Sequence, residues 1–152
     1  MSDLMALYQE IIIDHGRKPR FFFKPECYTC DEEAFNPLCG DKVHLYADVK
    51  DGMVKNISFE GQGCAISMAS TSLMLEIMQG RTFTEIRVLF NNFHQMIVQN
   101  KAFDREYEEI LEKIAILKGV QQYPSRVKCA TLAWHALDLM IKKHEANHGS
   151  AI

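Results

Sequence analysis

The chain carries no strong charge of either sign: 17 Lys and Arg stand against 20 Asp and Glu, for a formal net charge of -3. That balance supplies no broad basic field of the kind that holds nucleic acid or anionic lipid, so neither is expected as a partner. There is no apolar run approaching the roughly 18 residues that span a bilayer, and the opening Met1-Ser2-Asp3-Leu4 lacks the basic and apolar regions of a signal peptide. A soluble, cytoplasmic protein is expected. No repeat, low-complexity tract or Gly/Ser linker interrupts the 152 residues, of which 47% are hydrophobic. One domain over 1–152 follows, with the small and polar residues 145–152 expected as a frayed tail.

What the chain does have is five cysteines. An odd number without a secretion signal argues against a disulfide framework and for metal binding or thiol chemistry. Their setting follows from the elements around them. Leu4, Leu7, Tyr8, Ile11 and Ile12 recur at helical spacing behind Ser2 and Asp3, and His15-Gly16 with Pro19 ends that pattern. Val43, Leu45, Ala47 and Val49 alternate with polar neighbours up to an Asp51-Gly52 turn, beyond which Ile57 and Phe59 alternate with Ser58, as in a hairpin with one buried face. Ile66, Ala69, Leu73 and Ile77 keep helical period after Cys64. Thr82-Phe83-Thr84-Glu85 is a capping box, Asp104 opens a stripe through Leu117 closed by Gly119, and Pro124-Ser125 opens the last helix. The predicted class is α+β, a small antiparallel sheet with helices packed on one side.

Cys39 lies in Asn36-Pro37-Leu38-Cys39-Gly40-Asp41, a tight exposed turn before a strand. Cys64 follows Gly61-Gln62-Gly63 at a helix start, and Cys129 follows another loop into a helix. Free backbone N–H groups and the dipole at such places favour thiolate, the form that both ligates soft metals and attacks sulfur. Asp41 supplies an oxygen, and three cysteines with one carboxylate suit tetrahedral zinc or the corners of a cluster. Two other readings stand beside this one: inert buried cysteines, and a zinc ribbon that uses Cys27-x-x-Cys30 with Cys39. The histidines at 15, 44, 94, 135, 144 and 148 show no ligand spacing.

Four segments then resemble one family in order. They are Leu7-Tyr8-Gln9-Glu10-Ile11-Ile12-Ile13-Asp14-His15 with Pro19-Arg20; Asn36 through Asp41; Phe59-Glu60-Gly61-Gln62-Gly63-Cys64-Ala65-Ile66-Ser67-Met68-Ala69-Ser70; and Pro124-Ser125-Arg126-Val127-Lys128-Cys129-Ala130-Thr131-Leu132-Ala133-Trp134. The sequence thereby resembles the IscU/NifU-type iron–sulfur assembly family over nearly its whole length, most of all its SufU branch. By position, the resemblance implies Cys39, Asp41, Cys64 and Cys129 as metal ligands, zinc as the metal, and Cys39 as the sulfur acceptor, the catalytic position. It implies a PLP-dependent cysteine desulfurase as partner, recipient assembly or apo-proteins downstream, and an acceptor rather than a conventional turnover enzyme. The alternative within the same family is a scaffold on which a transient iron–sulfur cluster forms. Where IscU has a histidine before its last cysteine and a Pro-Pro-Val-Lys segment, this chain has Lys128 and Tyr123-Pro124-Ser125-Arg126-Val127-Lys128. The middle region, including Phe83–Ile97, is longer than in IscU and resembles SufU. Arg126 matches a SufU-type arginine suited to a thiolate or persulfide. Cys27 and Cys30 lie outside the family pattern.

Overall fold

A computed structural model describes residues 2–148, and the side chains of residues 9–147. Leu4, Leu7 and Tyr8 of the expected first stripe therefore lie outside the described side chains, but the helix itself is present as α1, Ser2–Arg17. The sheet has four antiparallel strands in the order β1-β2-β3-β4: β1 Cys30–Asn36, β2 Asp41–Lys50, β3 Met53–Gln62 and β4 Arg81–Thr82. Helices α2 Ala65–Met78, α3 Phe83–Ile97 and α4 Pro124–His148 follow, so the α+β class holds.

The β2–β3 hairpin forms where the sequence predicts it. Lys50 pairs with Met53 across Asp51 and Gly52, both at positive φ (53° and 72°), which is the two-residue turn that suits twisted strands. Val43, Leu45, Ala47 and Val49 are buried, and Ile57 and Phe59 lie opposite Ala47 and Leu45 on the same face. Against this face pack the helices, centred on Trp134, whose ring stacks on Phe93 at 3.9 Å and whose Nε1 donates to Ser70 Oγ at 3.0 Å. The outer face is closed over Tyr46 by Tyr28, ring to ring at 4.9 Å.

Two strands go beyond the predicted hairpin. β1 reads CDEEAFN, too acidic to signal a strand, because its acids are used as cross-strand partners. Asp31 and Glu33 reach His44 on β2 at 2.6 and 3.2 Å, and the inward Glu32 meets Lys143 of α4 at 3.0 Å. β4 is only two residues long; further along that edge of β3, Gln79 accepts from Ile57 N at 3.0 Å and donates to Ile57 O at 2.7 Å, and Phe59 N donates to Phe21 O at 2.9 Å.

The stripe opened by Asp104 is not an α-helix. It is two 3-10 segments, Arg105–Tyr107 and Lys113–Gln122. The reason lies in its spacing: Leu111, Ile114, Leu117 and Val120 are all buried and fall at intervals of three, which lines one face of a three-residue turn. The capping box at Thr82 and Glu85 forms as expected. Helix α4 continues through Glu145 to His148, into the segment expected to fray, and residues 149–152 lie outside the described residues.

Candidate metal centre

Three chain segments far apart in sequence meet at one end of the sheet. Asn36 pairs with Asp41 to close the β1–β2 hairpin, so Cys39 stands in its connecting loop and Asp41 at its base. Cys64 is the N-cap of α2, and Cys129 is in the second turn of α4. The ligand atoms of Cys39, Asp41 and Cys129 all lie within 4.8 Å of one another, and among the described residues no other cluster of metal-ligating side chains is this tight. Cys129 Sγ donates to Cys39 Sγ at 3.1 Å.

Cys64 joins from the side. Its sulfur is 3.9 Å from Asp41 Oδ2 and is turned to cap its own helix, accepting from Ser67 N at 3.4 Å, while its backbone N–H donates to Asp41 Oδ1 at 2.8 Å. This is the helix-terminus setting that the sequence predicts for it.

The glycines of Gly61-Gln62-Gly63 explain themselves here. A Cβ on Gly61 would strike the backbone oxygen of Lys42 and sit 3.2 Å from Val43 Cα, so this glycine lets the strands close. A Cβ on Gly63 would strike Asp41 Oδ1 and lie 3.1 Å from Asp41 Cα, so this one makes room for the carboxylate.

Cys129 departs from expectation. It is buried, and burial, followed by contacts with Asp41, Cys39 and Cys64, pushes its thiol up, so the expected thiolate is not favoured there. Cys129 is the sixth residue of α4, past the free N–H groups that would have stabilised the anion.

Of the two cations beside Cys129, only Arg126 faces the sulfurs. Residues three apart share a helix face, and the neighbouring Cys64 and Cys129 sulfurs favour the charged form of the Arg126 guanidinium. Lys128 instead lines a groove between β1 and α4 with Glu33, Phe35 and Leu139.

Other candidates fall away from the site. Cys30 begins β1 while the Cys39 turn follows its far end, a separation of about 20 Å for seven extended residues. The Cys27-x-x-Cys30 pair therefore does not share a zinc ribbon with Cys39. His15 is buried between α1 and α2, with Nδ1 2.7 Å from Ser72 Oγ. His94 and His135 flank Phe90, and the side chain of His148 lies outside the described residues.

Sequence reasoning passed over Asn36 as a functional residue. Its buried side chain accepts from Leu38 N at 3.2 Å and reaches Cys129 Sγ at 3.9 Å. An Asn three residues before the turn cysteine is the signal that was available, since Asn side chains fold back onto the backbone two residues on.

Relatives carry this architecture. The chain is 40% identical over 137 residues to the iron–sulfur cluster assembly scaffold protein IscU of Thermotoga maritima, covering 90% of this chain and 94% of that one. It is 34% identical over 148 residues to the zinc-dependent sulfurtransferase SufU of Bacillus subtilis, covering 97% of each. The crystal structure of a candidate iron–sulfur cluster assembly scaffold for the SUF system, from Fervidobacterium islandicum, superposes with a TM-score of 0.81 at 37% identity, over 90% of this chain and 97% of that one. The model of the NifU-like N-terminal domain matches residues 7–130, which take in the Cys39 turn, Asp41, the Cys64 cap and Cys129, and it is to this family that the chain belongs.

Proposed function

We propose that this protein works in iron–sulfur cluster assembly by accepting sulfur on Cys39, at a zinc site held by Cys39, Asp41, Cys64 and Cys129. The observation that carries the reading is the convergence of Cys39, Asp41 and Cys129 within 4.8 Å, with Cys64 at 3.9 Å from the same carboxylate. Soft sulfurs with one carboxylate are a donor set for zinc. The burial that disfavours a bare Cys129 thiolate is what a divalent cation offsets. Zinc, when bound, keeps such thiols deprotonated at neutral pH.

Cys39 is the acceptor because it is half-buried in a loop whose Leu38 is 71% exposed, whereas Cys129 is buried in α4 and Cys64 caps α2. The donor is a persulfide on a PLP-dependent cysteine desulfurase. The Cys39 thiolate attacks the outer sulfur of Cys–S–SH. A new S–S bond forms on Cys39, the donor's S–S bond breaks, and the donor cysteine departs as thiolate; the proton stays on the transferred sulfur. Arg126 beside the sulfurs favours the anionic forms. The setting is the cytoplasm, whose reducing poise keeps the five cysteines as thiols. The recipients are iron–sulfur assembly or apo-proteins.

A second reading rests on the Thermotoga relative, which is named as a scaffold: here iron and sulfide assemble as cargo on the same thiolates. Turnover of a cysteine desulfurase, measured with and without the zinc-loaded protein and with the Cys39→Ala variant, separates the two. Stimulation that vanishes with Cys39→Ala is expected. An unstimulated desulfurase, together with a stable cluster formed from iron and sulfide, would replace the carrier by the scaffold.

A further inference from the structure

Asn36 touches both sides of the thiol pair. It is the last residue of β1, buried, and opposite Asp41 in the strand register. Its main-chain oxygen accepts from Gly40 N at 2.8 Å and from Cys39 N at 3.3 Å, and its Oδ1 accepts from Leu38 N at 3.2 Å. Three successive N–H groups of the loop that carries Cys39 thus end on one residue. Its Nδ2 points the other way, to Cys129 Sγ at 3.9 Å on α4. Buried amides are held by all the partners they can reach, and an N–H to sulfur bond strengthens when the sulfur carries charge.

We propose that Asn36 is a positioning residue for the sulfur acceptor. It latches the Cys39 loop to the sulfur of Cys129, so that the acceptor is held beside its neighbour until a donor engages it. The proposal rests on the reading of Cys39 as acceptor. Gly40, at φ 71°, supplies a point about which the loop can turn, and the Leu38 side chain at the tip is exposed. A latch on Cys129 rather than on the turn alone gives the loop a reason to respond to what happens at the buried sulfur.

The test uses Asn36→Ser and Asn36→Ala. The serine hydroxyl still accepts from Leu38 N–H as an ST turn but is too short for Cys129, and it adds no charge. In the metal-free protein, iodoacetamide labelling of Cys39, followed by peptide mass spectrometry, is expected to rise several-fold in both variants. A second arm adds Cys129→Ala: on that background, Asn36→Ser is expected to change Cys39 labelling no further. With a desulfurase, and with concentrations counted as folded protein from the circular dichroism signal so that unfolded material does not enter, Asn36→Ser is expected to raise the half-saturating concentration several-fold with the maximal rate retained.

An Asn36→Ser variant that labels like the parent overturns the latch, as does an effect of equal size on the Cys129→Ala background. Should Asn36→Ala fail to fold, the Asn36→Ser comparison still decides. The labelling arms need no desulfurase, so failure of the acceptor reading appears separately, as a desulfurase that this protein does not stimulate.

Discussion

The sulfur of Cys129 lies 3.1 Å from that of Cys39, across 90 positions of sequence. Two thiols this close, one half-buried and one buried, are ready to join when an oxidant removes their two hydrogens. Diamide treatment of the metal-free protein is therefore expected to give one intramolecular Cys39–Cys129 disulfide, identified as a linked peptide pair. Zinc loading is expected to suppress it. Oxidation that instead links Cys64 to either partner would mean that the Cys64 cap on α2 opens more readily than the contact geometry implies.

Gly63 and Asp41 make the second pairing that can be tested. Gly63→Ala places a methyl group against the Asp41 carboxylate and within 3.1 Å of its Cα, which is paired with Asn36 at the start of β2 and does not yield. Displacing a ligand's support weakens metal affinity by roughly 10- to 100-fold. Competition with a chromophoric chelator should show a loss of this order for Gly63→Ala. Gly119→Ala, where a Cβ meets nothing within 4 Å, should bind zinc as the parent does.

Arg126 and Lys128 flank Cys129 but only Arg126 faces the sulfurs. Arg126→Ala is expected to slow alkylation of the site cysteines in the metal-free protein by several-fold near neutral pH, because a cation that stabilises thiolate has been removed. Lys128→Ala should leave the rate unchanged. Equal effects from both would point to the general field of the helix start rather than to a facing guanidinium.

His15 makes stability depend on pH. Burial, then the Arg20 charge, holds it below its ordinary value of 6.5. Arg20 N donates to Ser72 Oγ at 2.8 Å, which leaves the Ser72 hydroxyl to donate to an unprotonated His15 Nδ1. As pH falls through 6.5 the unfolded chain takes up a proton that the folded chain refuses. The contribution is complete above 6.5 and is lost as pH falls toward the folded-state value. Urea unfolding between about pH 7.5 and 5 should lose stability more steeply for the parent than for His15→Gln, which has no proton to gain.

Much of this was legible in local pattern. The Thr82 capping box, the Asp51-Gly52 turn and Pro124 at the start of α4 act on residues within a few positions of themselves, so the sequence states them outright. The candidate site was legible through its surrounding segments: the Asn36 to Asp41 turn, the glycines before Cys64 and the start of α4.

Tertiary structure alone decided the rest, because it turns on groups that meet from distant parts of the chain. β1 is a strand despite its acids: it pairs with β2 along its whole length, and the acids meet His44 and Lys143. The 3-10 segments follow from which side of Leu111, Ile114, Leu117 and Val120 the core lies on. At the site, burial set the proton on Cys129, the rotation of α4 chose Arg126 over Lys128, and the register of Asn36 against Asp41 brought the Cys39 loop to the sulfur it faces. Local sequence names the chemical groups; desolvation and packing across the chain set their charge and their direction.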